Sequence, residues 1–256
     1  TDEENAYFNS GSGAGYGFRL ALDASSRLFI TESFEGAPAL NAGIDRGAEI
    51  VAIGTSASNL RTVAAILASE GTAGLNTALG TSAVGTSRVF QIRDGAGTRN
   101  VTVAMADFSL APVSTRYGAK VIDDGGRKVG YINLRTFINT AETPLRNAFA
   151  TFKAQGITEV IIDVRYNGGG LISVADLINN LLGADRTTST VSNYVSFRPS
   201  KASENETVYF APQPQSIAPT RIAFIGTSGS ASASELVMNT FIPYLGKRSA
   251  LVGTNT

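Results

Sequence analysis

Hydrophobic and polar positions change rhythm once along the chain. Before the stretch AMADFSLAPVSTRYG the apolar residues alternate in short runs separated by Gly-rich turns: GYGFRLAL, RLFITES, AEIVAIG and VFQIRDGAGTRNVTVAMA. Alternation with period two marks half-buried strands, and GAG between two such runs predicts a hairpin. One helix is predicted among them, Asn59 to Glu70, with Leu60, Val63, Ala64 and Leu67 on one face and Gly71 as its stop. A shorter one, Ala37 to Ala42, is predicted inside SFEGAPALNAGIDRGAEIVAIG.

After that stretch strands and helices take turns. VGYINLRTF, EVIIDVR, RIAFIG and SALVG read as strands, and TPLRNAFATFKAQG, LISVADLINNLLG and ASELVMNTFIPYLG as helices. Such alternation predicts an α/β domain with largely parallel pairing. RPSKASENETVYFAPQPQSIAP carries four prolines and interrupts the rhythm, which predicts a hairpin or flexible loop there. The expected organisation is an N-terminal segment (1–12), a β-rich module (13–111) and an α/β domain (112–256).

Composition limits the chemistry. The chain has 256 residues, 43% of them hydrophobic, enough for a substantial core. Lys+Arg and Asp+Glu number 21 each, so no net field draws it to nucleic acid or an anionic membrane surface. Cys and His are both absent. That removes disulfides, thiol nucleophiles, a Ser-His-Asp triad and an ordinary zinc site, and leaves Lys, Asp or Glu as the usual general bases. No apolar run approaches the roughly 20 residues that span a bilayer, and TDEENAYFNS has no signal-peptide pattern, so a soluble piece is expected.

Four stretches can carry chemistry. In GTSGSASASELVMNTF, Ser232 and Glu235 have the spacing of a capping box. The run of small residues from Gly229 to Ser234 exceeds what a cap requires; it also suits a nucleophile displayed at a helix N-terminus, where backbone N–H groups can meet an oxyanion. In EVIIDVRYNGGGLISVADLI, three successive glycines follow Asn167. A turn explains one of them; a P-loop reading lacks its Lys-Ser/Thr, which favours N–H groups exposed for an oxyanion. Gly15-Tyr16-Gly17-Phe18 is either a flexible lead-in to a strand or a nest of N–H groups that captures a peptide carboxylate beside an open sheet edge. The fourth, Ser33 to Gly54, has a short helix between two strands as its plain account.

Together these residues resemble a known family. The Gly-Tyr-Gly-Phe loop, GAPALNAGIDRGAEIVAIG and the following helix resemble a PDZ domain. VGYINLRTF, IIDVRYNGGG and GSASASELV resemble, in order, three motifs of the carboxyl-terminal processing (tail-specific) serine proteases. The resemblance covers residues 13 to 256. It implies an α/β peptidase core of crotonase-like (ClpP/crotonase) type behind a PDZ-like β-rich domain. It further implies hydrolysis of protein substrates recognised by free C-terminal tails, with no metal or organic cofactor and a periplasmic or cell-envelope location in bacteria. Carried over by motif, Ser232 is the nucleophile, Gly168, Gly169 and Ala233 supply the oxyanion hole, and Gly15, Tyr16, Gly17 and Phe18 bind the peptide terminus. The family base is a lysine, in keeping with the missing imidazole. The resemblance places it in a Gly-Lys step after a strand matching SALVG, so it is expected just beyond Thr256, in a core truncated at its C-terminal end. Lys247, the only lysine after Ser232, precedes that strand and is not assigned. The alternative is an inactive relative that binds peptides.

Overall fold

The computed structural model describes residues 2–256; Thr1, the first residue of the expected N-terminal segment, lies outside them. Helix α1 (Asp2–Ser10) occupies most of that segment. The chain then divides into two compact units, the first containing Gly11–Leu110 and the second Ala111–Thr256.

The first unit contains β1 (Ser12–Gly15), β2 (Phe18–Leu22), β3 (Leu28–Ser33), α2 (Pro38–Asn41), β4 (Glu49–Gly54), β5 (Arg61–Thr62), α3 (Val63–Leu79), β6 (Ser87–Asp94), β7 (Gly97–Ala104) and β8 (Ala106–Ser109). Its main sheet has the order β2-β3-β4-β6-β7, with β5 beside β4, and β1 pairs separately with β8. The GAG turn does close a hairpin: Asp94 faces Gly97, and the Asp94 carboxylate accepts from Ala96 N–H at 2.9 Å. Ile30, Ile50, Ile53, Ile66, Phe90 and Ile92 centre the core.

The predicted helix is displaced. Leu60 and its neighbours form a turn and β5, and α3 starts only after Thr62, whose Oγ1 accepts from Ala65 N–H at 3.2 Å. Gly71 interrupts the helix with φ 64° and ψ −157°, but the chain resumes helically to Leu79. Glycine weakens a helix without ending it when apolar residues beyond it, here Leu75, still find the core.

The second unit contains β9 (Ala119–Asp124), β10 (Arg127–Asn133), α4 (Glu142–Ala154), β11 (Glu159–Asp163), α5 (Ile172–Leu181), β12 (Val191–Val195), β13 (Glu206–Tyr209), β14 (Arg221–Gly226), α6 (Ala233–Thr240), α7 (Ile242–Leu245) and β15 (Ser249–Gly253). Its sheet has the order β15-β14-β11-β10-β9; β10, β11, β14 and β15 are parallel, and β9 is antiparallel at the edge. Register places Ile132, Ile162 and Phe224 side by side, and these join Phe149 and Phe152 of α4, Ile178 of α5 and Val237 of α6 in one core. The proline-rich excursion contains the second strand of an antiparallel hairpin, β12–β13. The last predicted helix is split at Phe241, because Pro243 cannot continue the hydrogen-bond ladder of α6.

Parallel pairing brings the C-terminal ends of β11 and β14 together, with Asp163 opposite Ile225. The loops leaving those two ends, 164–171 and 227–232, therefore face each other, where an open α/β sheet ordinarily binds its ligand.

Candidate active site

The four serines of GTSGSASASE divide into two that are buried, Ser230 and Ser234, and two that are exposed, Ser228 and Ser232. Ser230 is fully buried; its Oγ donates to Val164 O at 2.7 Å and accepts from Thr227 N–H at 3.0 Å. Ser234, also fully buried, donates to Asn167 O at 2.8 Å. Both staple the turn to the glycine loop. Ser232 between them is exposed.

Its backbone explains why. Ser232 has φ 56° and ψ −120°, a conformation that residues with a Cβ rarely adopt. A strained residue between two buried staples has its side chain turned out of the protein, at the price of about 1–3 kcal/mol of local strain. The capping box expected from the sequence is present: Glu235 Oε2 accepts from Ser232 N–H at 3.0 Å, and the Ser232 side chain faces the Glu235 backbone N–H, a looser contact that is not a full hydrogen bond.

Across from it lies the glycine loop. Asn167 is fully buried; its Nδ2 donates to Leu134 O at 2.9 Å and its Oδ1 accepts from Gly169 N–H at 3.0 Å. Gly169 has φ +101°, and a Cβ built there would stand 2.7 Å from Ser232 Cβ and 2.9 Å from Ala233 N. Gly169 thus supplies space, and its own N–H is taken by Asn167. Gly168 is exposed, and Ala233, first residue of α6, has no carbonyl one turn back to receive its N–H. These two amides have no acceptor among the described residues.

Beneath the loop, fully buried Asp163 is gripped by Arg165, Nε to Oδ1 at 2.9 Å and Nη2 to Oδ2 at 2.6 Å, and accepts from Tyr131 Oη at 2.7 Å. The Asp163 carboxylate pushes the Arg165 guanidinium further above its ordinary range. Burial first, and the Asp163 carboxylate second, push Tyr131 up to about 12. The cluster ties β10 to β11 where the glycine loop departs.

Among the described residues no lysine is hydrogen-bonded to Ser232; Lys120 lies on β9 and Lys128 on β10. Lys153 donates to Pro214 O and Lys201 pairs with Glu204. Lys247 lines a cavity of about 590 Å³ with Glu159, Arg221 and Ile222, at the N-terminal ends of β11 and β14, whereas Ser232 follows the C-terminal end of β14.

In the first unit, a cavity of about 640 Å³ is lined by Gly15, Tyr16, Gly17 and Phe18 together with Phe34 and Phe108. Tyr16 and Gly17 are buried, and neither N–H finds an acceptor among the described residues. Phe18 opens β2, an edge strand of the main sheet. Gly17, at φ +81°, lets the loop lie on Ala37: an added Cβ would come within 2.0 Å of Ala37 Cβ.

Ser232 and the glycine loop, expected from the sequence as a site, lie side by side in the fold, whereas the supporting frame of Asn167, Tyr131, Asp163 and Arg165 was not expected. The available signal was polar residues at the C-terminal end of an otherwise apolar strand, IIDVRYN, where burial demands partners.

Fold and site together define an α/β protein that displays an exposed serine between a helix N-terminus and a glycine loop. The chain belongs to peptidase family S41, whose family model matches residues 128–256. Among curated relatives it is 28% identical over a 264-residue alignment to carboxyl-terminal-processing peptidase 3, chloroplastic, of Arabidopsis thaliana, covering 100% of this chain and 48% of that protein. It is 27% identical to a carboxyl-terminal-processing protease of Picosynechococcus, covering 96% of this chain and 55% of that one. The chain thus spans about half the length of the curated relatives it matches. Among solved structures, a Bacteroides fragilis protein assigned to the S41 proteases shares the fold, with a TM-score of 0.69, 22% identity and coverage of 95% of this chain and 66% of that one. The photosystem II D1 C-terminal processing protease does so with a TM-score of 0.51, 20% identity and coverage of 94% and 60%.

Proposed function

We propose that the whole protein is a serine endopeptidase that cuts protein substrates selected by their free C-terminal tails. The observation that carries this reading is Ser232: exposed, on a strained turn, beside two unengaged amides and a glycine that leaves room for a substrate backbone. Ser232 Oγ attacks the substrate carbonyl carbon and its proton passes to a lysine amine. Gly168 N–H and Ala233 N–H donate to the oxyanion of the tetrahedral intermediate, with Gly169 providing clearance. The ammonium returns the proton to the leaving amine, and water then hydrolyses the acyl-enzyme by the same steps in reverse. Every step is assigned to protein groups, without metal or organic cofactor. The base is assigned to a lysine of the whole protein outside these 256 residues, since Lys247 belongs to the opposite end of the sheet.

The first unit is the PDZ-like tail reader in this proposal. Tyr16 N–H and Gly17 N–H receive the terminal carboxylate, the aromatic cavity takes the last side chain, and the peptide adds as a strand along β2. Bacterial and chloroplastic relatives support a site outside the cytoplasm, and we assign a periplasmic or cell-envelope location.

The test is cleavage of an unstructured reporter with an apolar tail by the whole protein and its Ser232→Ala variant. Cleavage lost in Ser232→Ala but present in the parent is the expected result. Equal cleavage by both would overturn the assignment, and tail binding without cleavage in either would make the protein a peptide binder.

A further inference from the structure

We propose that Asn167 is the positioning residue of this site, a single buried side chain and carbonyl that set the separation between the two oxyanion amides. The inference rests on the protease reading for its consequence, but its geometry stands alone. Asn167 holds both loops at once. On its own loop, Oδ1 fixes Gly169 N–H at 3.0 Å and Nδ2 is anchored on Leu134 O at 2.9 Å, so the side chain cannot rotate without losing both bonds. On the opposite loop, its carbonyl accepts from Ala231 N–H at 3.2 Å and from Ser234 Oγ at 2.8 Å. Those two donors flank Ser232 and Ala233. Gly168, which follows Asn167 directly, is fixed by the same contacts.

The geometry has a chemical consequence. An oxyanion hole works through donors already aimed where charge will form, so a small widening between Gly168 N–H and Ala233 N–H weakens the transition state more than substrate binding. Asparagine suits the position. It presents an acceptor and a donor together, and unlike aspartate it places no negative charge beside a developing oxyanion.

The comparison is between Asn167→Ala and Asn179→Ala in the whole protein. Asn179 is equally buried and also loses a buried bond, Nδ2 to Thr240 Oγ1 at 3.1 Å, but it joins α5 to α6 and touches neither loop. Asn167→Ala is expected to lower kcat about 100-fold with KM within about twofold. Its affinity for a peptide aldehyde, which forms an oxyanion on Ser232, should fall in parallel. Asn179→Ala should lose stability and keep both. Unchanged kcat and aldehyde affinity in Asn167→Ala would overturn the proposal.

A second readout needs no catalysis. In the 256-residue chain, amide hydrogen exchange should quicken in Asn167→Ala at Gly169 and also at Ala231, whose acceptor is a backbone carbonyl the substitution leaves in place. Protection retained at Ala231 would mean the two loops are held independently. If Asn167→Ala fails to fold, Ser234→Ala removes one of the two bonds to the Asn167 carbonyl and should move exchange and kcat the same way, by less. An inactive parent protein would sink the protease reading, and the exchange comparison would still decide the clamp.

Discussion

Gly169 and Ser232 lie so close that the space of one missing methyl separates them: a Cβ on Gly169 would stand 2.7 Å from Ser232 Cβ. The glycine also holds φ +101°, so an alanine there is both crowded and strained. Gly169→Ala in the whole protein should therefore reduce kcat/KM by at least about 100-fold by moving the loop off the serine. Steady-state kinetics on the tail reporter check this, and activity within tenfold of the parent would show that the loop has other room.

The strain at Ser232 predicts a trade between stability and function. At φ 56° and ψ −120° glycine is the residue that fits. Ser232→Gly should abolish cleavage and raise stability by about 1 kcal/mol over Ser232→Ala, read from urea unfolding midpoints. Equal midpoints would mean the conformation is not strained in solution.

Tyr131 gives a pH dependence. Its folded value is pushed up to about 12 from an ordinary 10, so above pH 10 the unfolded chain releases this proton while the folded chain keeps it. Stability is full below pH 10 and declines as pH rises towards 12. Tyr131→Phe, which has no such proton, should show a shallower alkaline loss in unfolding midpoints measured across that window. Parallel curves for the two proteins would remove Tyr131 as a cause.

Gly17 carries the corresponding steric prediction in the first unit. Its extra methyl would meet Ala37 Cβ at 2.0 Å, whereas one on Gly15 would find only Phe108 Cε1 at 3.6 Å, an ordinary contact. Gly17→Ala should cost about 2 kcal/mol and abolish binding of tail peptides. Gly15→Ala should fold normally and bind tails with bulky last residues more weakly, because Gly15 lines the cavity. Titration calorimetry distinguishes these outcomes, and equal affinities for the two variants would remove the loop from recognition.

Much of this architecture was legible in the chain. The parallel strands announced themselves as short apolar runs between amphipathic helices, and the motif residues pointed to Ser232 and the glycine loop, which the fold sets next to each other. β9 was not, because AKVIDD at a sheet edge buries little and leaves no strong pattern. The start of α3 was misread because Leu60 looked helical by spacing while β5 claims its neighbours for pairing with β4. The roles of Asn167 and Asp163 depend on contacts across the sheet, which no local pattern encodes. Nor could periodicity reveal that Gly169 N–H is already engaged, which narrows the open donors to Gly168 and Ala233.

The clamp joins residues 67 apart in sequence, Asn167 and Ser234, through strands that pair in parallel. Parallel pairing requires a long chain closure before any contact rewards it. A chain in which β11 and β14 have not yet paired therefore carries the serine without a place for the oxyanion. On the protease reading proposed above, Ser232 can cut other proteins only once β11 and β14 have met, and maturation of the sheet would itself be a safeguard against premature cutting. Refolding followed by an active-site label should show labelling no earlier than burial of the β11–β14 core, and labelling that precedes it would refute the link.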